Sequence, residues 1–160
     1  VNLIVDQTST GFEWESTAFL TDNFIIYATL GYIDVDVDQQ GDTKPVAPLT
    51  PELTWSLSPE LRFPSANGGE FSLRADYSYR DEMWGEPSDD PGRMSQIPSR
   101  DIINFDFSYT SADESWTAGI YGRNATDERY TQALINLGDY ILDILSNDAS
   151  EFGLRLTMDF

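Results

Sequence analysis

Apolar and polar residues alternate along most of this chain with a period of two. Toward the C-terminal end Phe152, Leu154, Leu156, Met158 and Phe160 fall on one side, and Gly153, Arg155, Thr157 and Asp159 on the other. Successive side chains of a strand point to opposite faces, so this segment predicts a strand that is apolar on one face and polar on the other. The pattern recurs upstream. Phe71, Leu73, Ala75, Tyr77 and Tyr79 alternate with Ser72, Arg74, Asp76, Ser78 and Arg80. Ile103, Phe105, Phe107 and Tyr109 alternate with Asn104, Asp106 and Ser108, and Leu53, Trp55, Leu57, Pro59 and Leu61 with Thr54, Ser56, Ser58, Glu60 and Arg62. Trp116, Ala118 and Ile120 continue it more weakly. Two earlier strands, at about residues 5–19 and 24–37, fit less cleanly; in the first, Phe12 and Trp14 face away from Glu13 and Glu15. Seven strands result. Pro59 cannot donate to a ladder, so a bulge or irregular stretch is expected there.

The connections alternate short and long. Short ones fall near 20–23, 65–69 and 111–115, long ones near 38–50, 81–100 and 123–150. Soluble sandwiches have no reason to put every short turn at one end, whereas outer-membrane barrels have tight periplasmic turns and longer extracellular loops. The strands are also long enough for a tilted barrel wall, which takes ~9–11 residues. Aromatics collect near strand ends. Phe19, Phe24, Phe63, Tyr109, Trp116 and Phe160 lie toward the short turns, and Tyr32, Tyr77, Tyr79, Trp84 and Tyr121 toward the long loops, as two interfacial girdles would. The fold expected is all-β: an antiparallel transmembrane β-barrel segment of about seven meandering strands. Bacterial single-chain barrels have an even number, so residues 1–160 are expected to be a C-terminal portion whose earlier strands lie outside this chain.

Composition narrows the chemistry. The chain has no Cys and no His, which removes thiolate chemistry and the commonest metal ligand. With 9 basic against 28 acidic residues the net charge is −19, a surface that repels nucleic-acid phosphates. No apolar run reaches the ~20 residues of a transmembrane helix. An enzyme is not expected, and neither is a cofactor.

Several segments then resemble one family. Asn124-Ala125-Thr126-Asp127-Glu128-Arg129-Tyr130 resembles the Asn-Leu-Thr-Asp-x-x-Tyr motif near the end of TonB-dependent receptors, and follows a strand carrying Trp116 and Gly119, as in that family. Gly11-Phe12-Glu13-Trp14-Glu15 is similar to the family's Gly-x-Glu-x-Glu strand, Pro48-Leu49-Thr50-Pro51-Glu52-Leu53 to its Pro-x-x-Pro segment, and Ala75 through Arg80 to the strand after that. Ala125 stands where the family has Leu, and its Pro-Arg before the final strand is absent. The resemblance implies a barrel of about 22 strands with an N-terminal plug, of which these would be the last seven. It implies active import of a scarce nutrient (iron–siderophore, cobalamin, haem or oligosaccharide) across a Gram-negative outer membrane. It also implies coupling to the TonB complex through the absent plug, contact with outer-membrane lipid, and a terminal Phe160 read by the barrel-assembly machinery. Asn124, Thr126, Asp127 and Tyr130 would be the family motif.

Alternation assigns Glu13, Glu15, Glu60, Arg74, Asp76, Arg80, Asp106, Arg155 and Asp159 to the lumen-facing side. Other groupings are weaker. Asp34, Asp36 and Asp38 share a strand face, but Gln39 and Pro45 stand where an EF-hand needs Gly and Glu, leaving a looser cation site or simple solvation. Glu13 and Glu15 sit on one strand without the opposing partner a glycosidase needs. Asn124-Ala125-Thr126 also matches the glycosylation pattern. Leu134, Leu137, Ile141, Ile144 and Leu145 are spaced for a short helix in the last loop. Two rivals remain: a passive porin-like outer-membrane barrel, and a soluble secreted glycan-binding β-domain.

Overall fold

A computed structural model describes residues 5–39, 45–87, 95–137, 140–146 and 148–159. In chain order its strands are β1 (Val5–Thr21), β2 (Phe24–Gln39), β3 (Leu53–Pro64), β4 (Glu70–Arg80), β5 (Met83–Trp84), β6 (Gln96–Ile97), β7 (Arg100–Thr110), β8 (Trp116–Arg123), β9 (Thr131–Asn136), β10 (Ile141–Leu145) and β11 (Glu151–Met158). Seven make one antiparallel meander in the order β1-β2-β3-β4-β7-β8-β11, and β5–β6 and β9–β10 are separate hairpins within the long connections. The three short turns therefore all fall at one end of the sheet and the loops at the other. Gly68 closes the turn between β3 and β4 at φ 87°, a conformation that costs a glycine little. Phe160 lies outside the described residues.

Residues paired across an antiparallel ladder share a face, so the register sorts every side chain. One row runs Leu61, Leu73, Phe107, Ile120, Leu154 across five strands, and the row beside it Phe63, Phe71, Tyr109, Ala118, Leu156. Phe71 stacks on Phe107 with centroids 5.8 Å apart, and Phe105 tilts against Phe152 at 6.1 Å. Among the described residues, nothing covers this face. Leu154 is 85% exposed and Leu156 62%. The buried polar side chains include Ser58, Glu60 and Asn124, while among the described residues the buried apolar ones are Met83 and Ile97, both in the loop hairpin β5–β6. A water-soluble domain of this size hides its aliphatic face; this sheet presents it.

Pro59 leaves the register unchanged. Leu57 pairs with Tyr77 and Glu60 with Arg74 in one continuous alignment, and only the rungs between them are missing on the β4 side. A bulge is therefore absent; the ladder lacks bonds where the ring nitrogen has no proton. The expected helix in the last loop is instead the hairpin β9–β10, with Leu142 opposite Ile135 and Ile144 opposite Ala133. Period-two pairing of β-branched side chains overrode the helical spacing. Three girdle aromatics also need correcting. Tyr121 pairs with Asp106 and Gly153 on the polar face, Phe19 pairs with Ile25 on that same face, and Trp84 sits half-buried in the β5–β6 hairpin.

The two faces exchange character along β2. From Phe24 to Tyr32 the apolar face carries Phe24, Ile26, Ala28, Leu30 and Tyr32; beyond Tyr32 that face carries the exposed Asp34, Asp36 and Asp38, and the opposite one Ile33, Val35 and Val37. Those aliphatics line a cleft together with Val46, Ala47 and Trp84 of the loops, which knit together. Leu49 N–H donates to the Trp84 carbonyl at 2.7 Å, Gly85 N–H to the Ser95 carbonyl at 2.6 Å, and Pro48 bridges Trp84.

Candidate functional site

The polar face is an ion-pair ladder crossing several strands. Glu60 is 7% exposed and meets Arg62 and Arg74; Arg74 also binds Asp76 at 2.9 Å and lies over the Tyr27 ring at 5.4 Å. Farther along, Arg155 pairs with Asp106 at 3.0 Å and lies over Tyr121 at 5.3 Å, and Tyr121 donates to Glu151 at 2.8 Å. The six arginines within strands (Arg62, Arg74, Arg80, Arg100, Arg123 and Arg155) all share this face by register. Glu13 and Glu15 share it too and stand exposed on β1, side by side on one strand, without the opposed geometry of a hydrolytic pair.

Asn124 and Asp127 adopt left-handed backbone, with φ 43° and 53°, which Asn and Asp tolerate better than other L-residues. Their side chains then staple the loop. Asn124 Oδ1 accepts from Glu128 N–H at 2.9 Å, its Nδ2 donates to the Glu128 and Asp148 carbonyls, and its own N–H donates to Asn104 Oδ1 at 2.9 Å. Asp127 Oδ1 accepts from Ser150 N–H at 3.1 Å, and Tyr130 donates its hydroxyl to Asp148 at 2.8 Å. The segment thus ties the end of β8 to the start of β11. Thr126 is exposed. Asn124 is 4% exposed with its amide bonded on both sides, so it is no acceptor for a glycan.

Beside this staple a cleft of about 750 Å³ opens on the polar face, lined among others by Asp106, Tyr121, Asn124, Tyr130, Asp148 and Arg155. It offers carboxylate, guanidinium and phenol groups to a polar ligand. Among the described residues no three carboxylates gather as metal ligands; Asp34, Asp36 and Asp38 run in file along β2. Higher on the same face Arg80 stands directly opposite Arg100, and the Arg100 guanidinium lies 4.0 Å from the Tyr130 ring centroid.

Of the residues expected to face inward, Glu60, Arg74, Asp76, Asp106 and Arg155 form the ladder, Arg80 belongs to the arginine pair, and Asp159 follows β11, its N–H donating to the Ser115 carbonyl at 3.0 Å. Arg100 and Tyr121 were missed. Arg100 reads as loop in the sequence, yet carrying the alternation of Asp106 and Asn104 back four positions, through Ile102, would have placed it on this face. Asp148 and Ser150 carry no local signal; they matter only because the loop returns to Asn124 and Asp127.

The chain has the fold of a stretch of barrel wall from a TonB-dependent receptor. It resembles the solved structure of the ferric yersiniabactin uptake receptor FyuA from Yersinia pestis, with a TM-score of 0.81 and 15% identity over 96% of this chain and 24% of that one. The chain thus spans about a quarter of that receptor's length. No family model and no curated protein matches the sequence.

Proposed function

We propose that this chain is the C-terminal wall of a TonB-dependent importer in a Gram-negative outer membrane, the last seven strands of a barrel of about 22 whose plug and earlier strands precede it. The observation that carries the reading is the exposed apolar face of a seven-stranded meander with every short turn at one end. In hydrocarbon such a face is solvated by lipid, and closure of the barrel satisfies the backbone groups at both sheet edges. The ladder then lines the lumen, against the plug. The wall does no chemistry; it holds the passage through which a scarce nutrient (iron–siderophore, cobalamin, haem or oligosaccharide) is drawn when TonB pulls on the plug.

The test is uptake of labelled iron–siderophore, cobalamin, haem and oligosaccharide panels by cells with and without the gene. Uptake of one class that disappears with the gene, with TonB, or with a protonophore supports the importer. Diffusion of small solutes indifferent to TonB would make it a porin. A protein monomeric and folded without detergent would make it a soluble β-domain.

A further inference from the structure

Arg80 and Arg100 stand directly opposite across β4 and β7, on the face that carries the ladder. Paired positions of an antiparallel ladder bring Cβ atoms to about 5 Å, and like charges there repel unless something neutralises them. Elsewhere on this face the arginines have acids: Arg62 and Arg74 have Glu60, Arg155 has Asp106, and Arg123 pairs in register with Glu151. Among the described residues, Arg80 and Arg100 have no carboxylate partner. Arg80 gives one N–H to the Pro98 carbonyl at 3.1 Å, and its Nε is buried without a hydrogen-bond partner. A shortage of acids is not the cause, since the chain carries 28. A fold that pairs its other wall arginines leaves these two facing each other.

The geometry is that of a receiving fork. Stacking on Tyr130 occupies the flat face of the Arg100 guanidinium and leaves its N–H edges free, the arrangement in which arginine binds planar oxyanions in bidentate fashion. Tyr130 is itself held by Asp148 through its hydroxyl at 2.8 Å, so the stapled segment that starts at Asn124 positions the ring on which Arg100 rests. A second guanidinium opposite supplies further donors, among them an Nε that has already been dehydrated.

We propose that Arg80 and Arg100 form one oxyanion site high on the lumen wall, taking a carboxylate or phosphate group, with Tyr130 as the residue that orients Arg100. The inference rests on the importer reading for its place in the lumen. It narrows the cargo to one bearing an anionic group, unless the oxyanion is a side chain of the protein's own plug.

The experiment uses the whole receptor purified in detergent, with citrate and inorganic phosphate as probes and chloride at matched ionic strength as reference. If a free oxyanion fills the site, the wild-type thermal midpoint rises by several degrees with citrate or phosphate. The Arg80→Gln/Arg100→Gln protein loses that rise, and Tyr130→Leu reduces it. If the plug's own carboxylate fills it, the wild type is indifferent to the probes, the double Gln protein melts several degrees lower, and Arg80→Lys/Arg100→Lys recovers most of the loss. Either result supports the site. A probe-indifferent wild type whose double Gln variant is as stable or more stable, or is not recovered by lysines, overturns it, as does a probe response equal in wild type and variant. These measurements involve neither TonB nor transport, so failure of the importer reading in the uptake assay leaves them standing.

Discussion

At the scale of single residues the polar face separates two grades of ion pair. The Glu60 side chain is 9% exposed and is hydrogen-bonded by Arg62 at 2.6 Å, with Arg74 farther off at 3.9 Å, whereas Arg155 and Asp106 are 53% and 34% exposed. Removing a partner from a buried charge strands it, while solvent screens an open pair. Arg62→Met is therefore expected to lower unfolding stability by about 2 kcal/mol, and Arg155→Met by under about 1 kcal/mol; urea titrations followed by tryptophan fluorescence compare the two. In the turn between β7 and β8, hydrogen bonds from Ser111 and Ser115 hold the Asp113 carboxyl below the usual carboxylate range. A group with a depressed folded pKa stabilises above its unfolded value, near 3.9, and loses that contribution as pH falls through the folded one. Acid melting of wild type should thus show a loss of stability below about pH 4 that Asp113→Asn reduces; superimposable profiles would remove the claim.

The strands were readable element by element because a two-faced wall forces one period on the sequence, and seven segments obeyed it. The same logic misjudged what lay between them. Residues 134–145 matched a helical spacing, and the actual hairpin is visible only when Ala133 and Ile135 are set against Leu142 and Ile144. Which pattern wins is decided by contacts no local window contains, such as the approach of Leu134 to Gly85 and the bridge between Pro48 and Trp84. The partners of Asn124 and Asp127 escaped for the same reason, since Asp148 and Ser150 lie 24 and 23 positions away. Where the period was clear, its consequence can be measured. On β11, Leu154 faces lipid and Thr157 the lumen under the proposed reading. A lipid-facing cation costs ~2–4 kcal/mol at the midplane, so Leu154→Arg should reduce folding yield into vesicles far more than Thr157→Arg. Equal yields would argue against the assigned faces.

Across the whole molecule, the span from Phe24 to Tyr32 on β2 matters most. About nine residues at ~3.4 Å each, tilted as barrel strands are, rise roughly 20–25 Å, the height of the apolar band of an outer-membrane barrel. Past Tyr32 the strand continues with carboxylates on the outer face and aliphatics on the other; under the proposed reading this stretch is a rim outside the membrane. A cysteine at position 36, made as Asp36→Cys, should react on intact cells with a membrane-impermeant maleimide, and one made as Leu57→Cys should not. Equal labelling would place the boundary elsewhere. The exchange of character at Tyr32 has a mechanical corollary. Were the wall to sink by one pair of residues, Asp34 would be dragged into oil; were it to ride up as far, greasy surface would emerge into water. Under the proposed reading the chain thus carries its own waterline, one that holds the wall at a single depth.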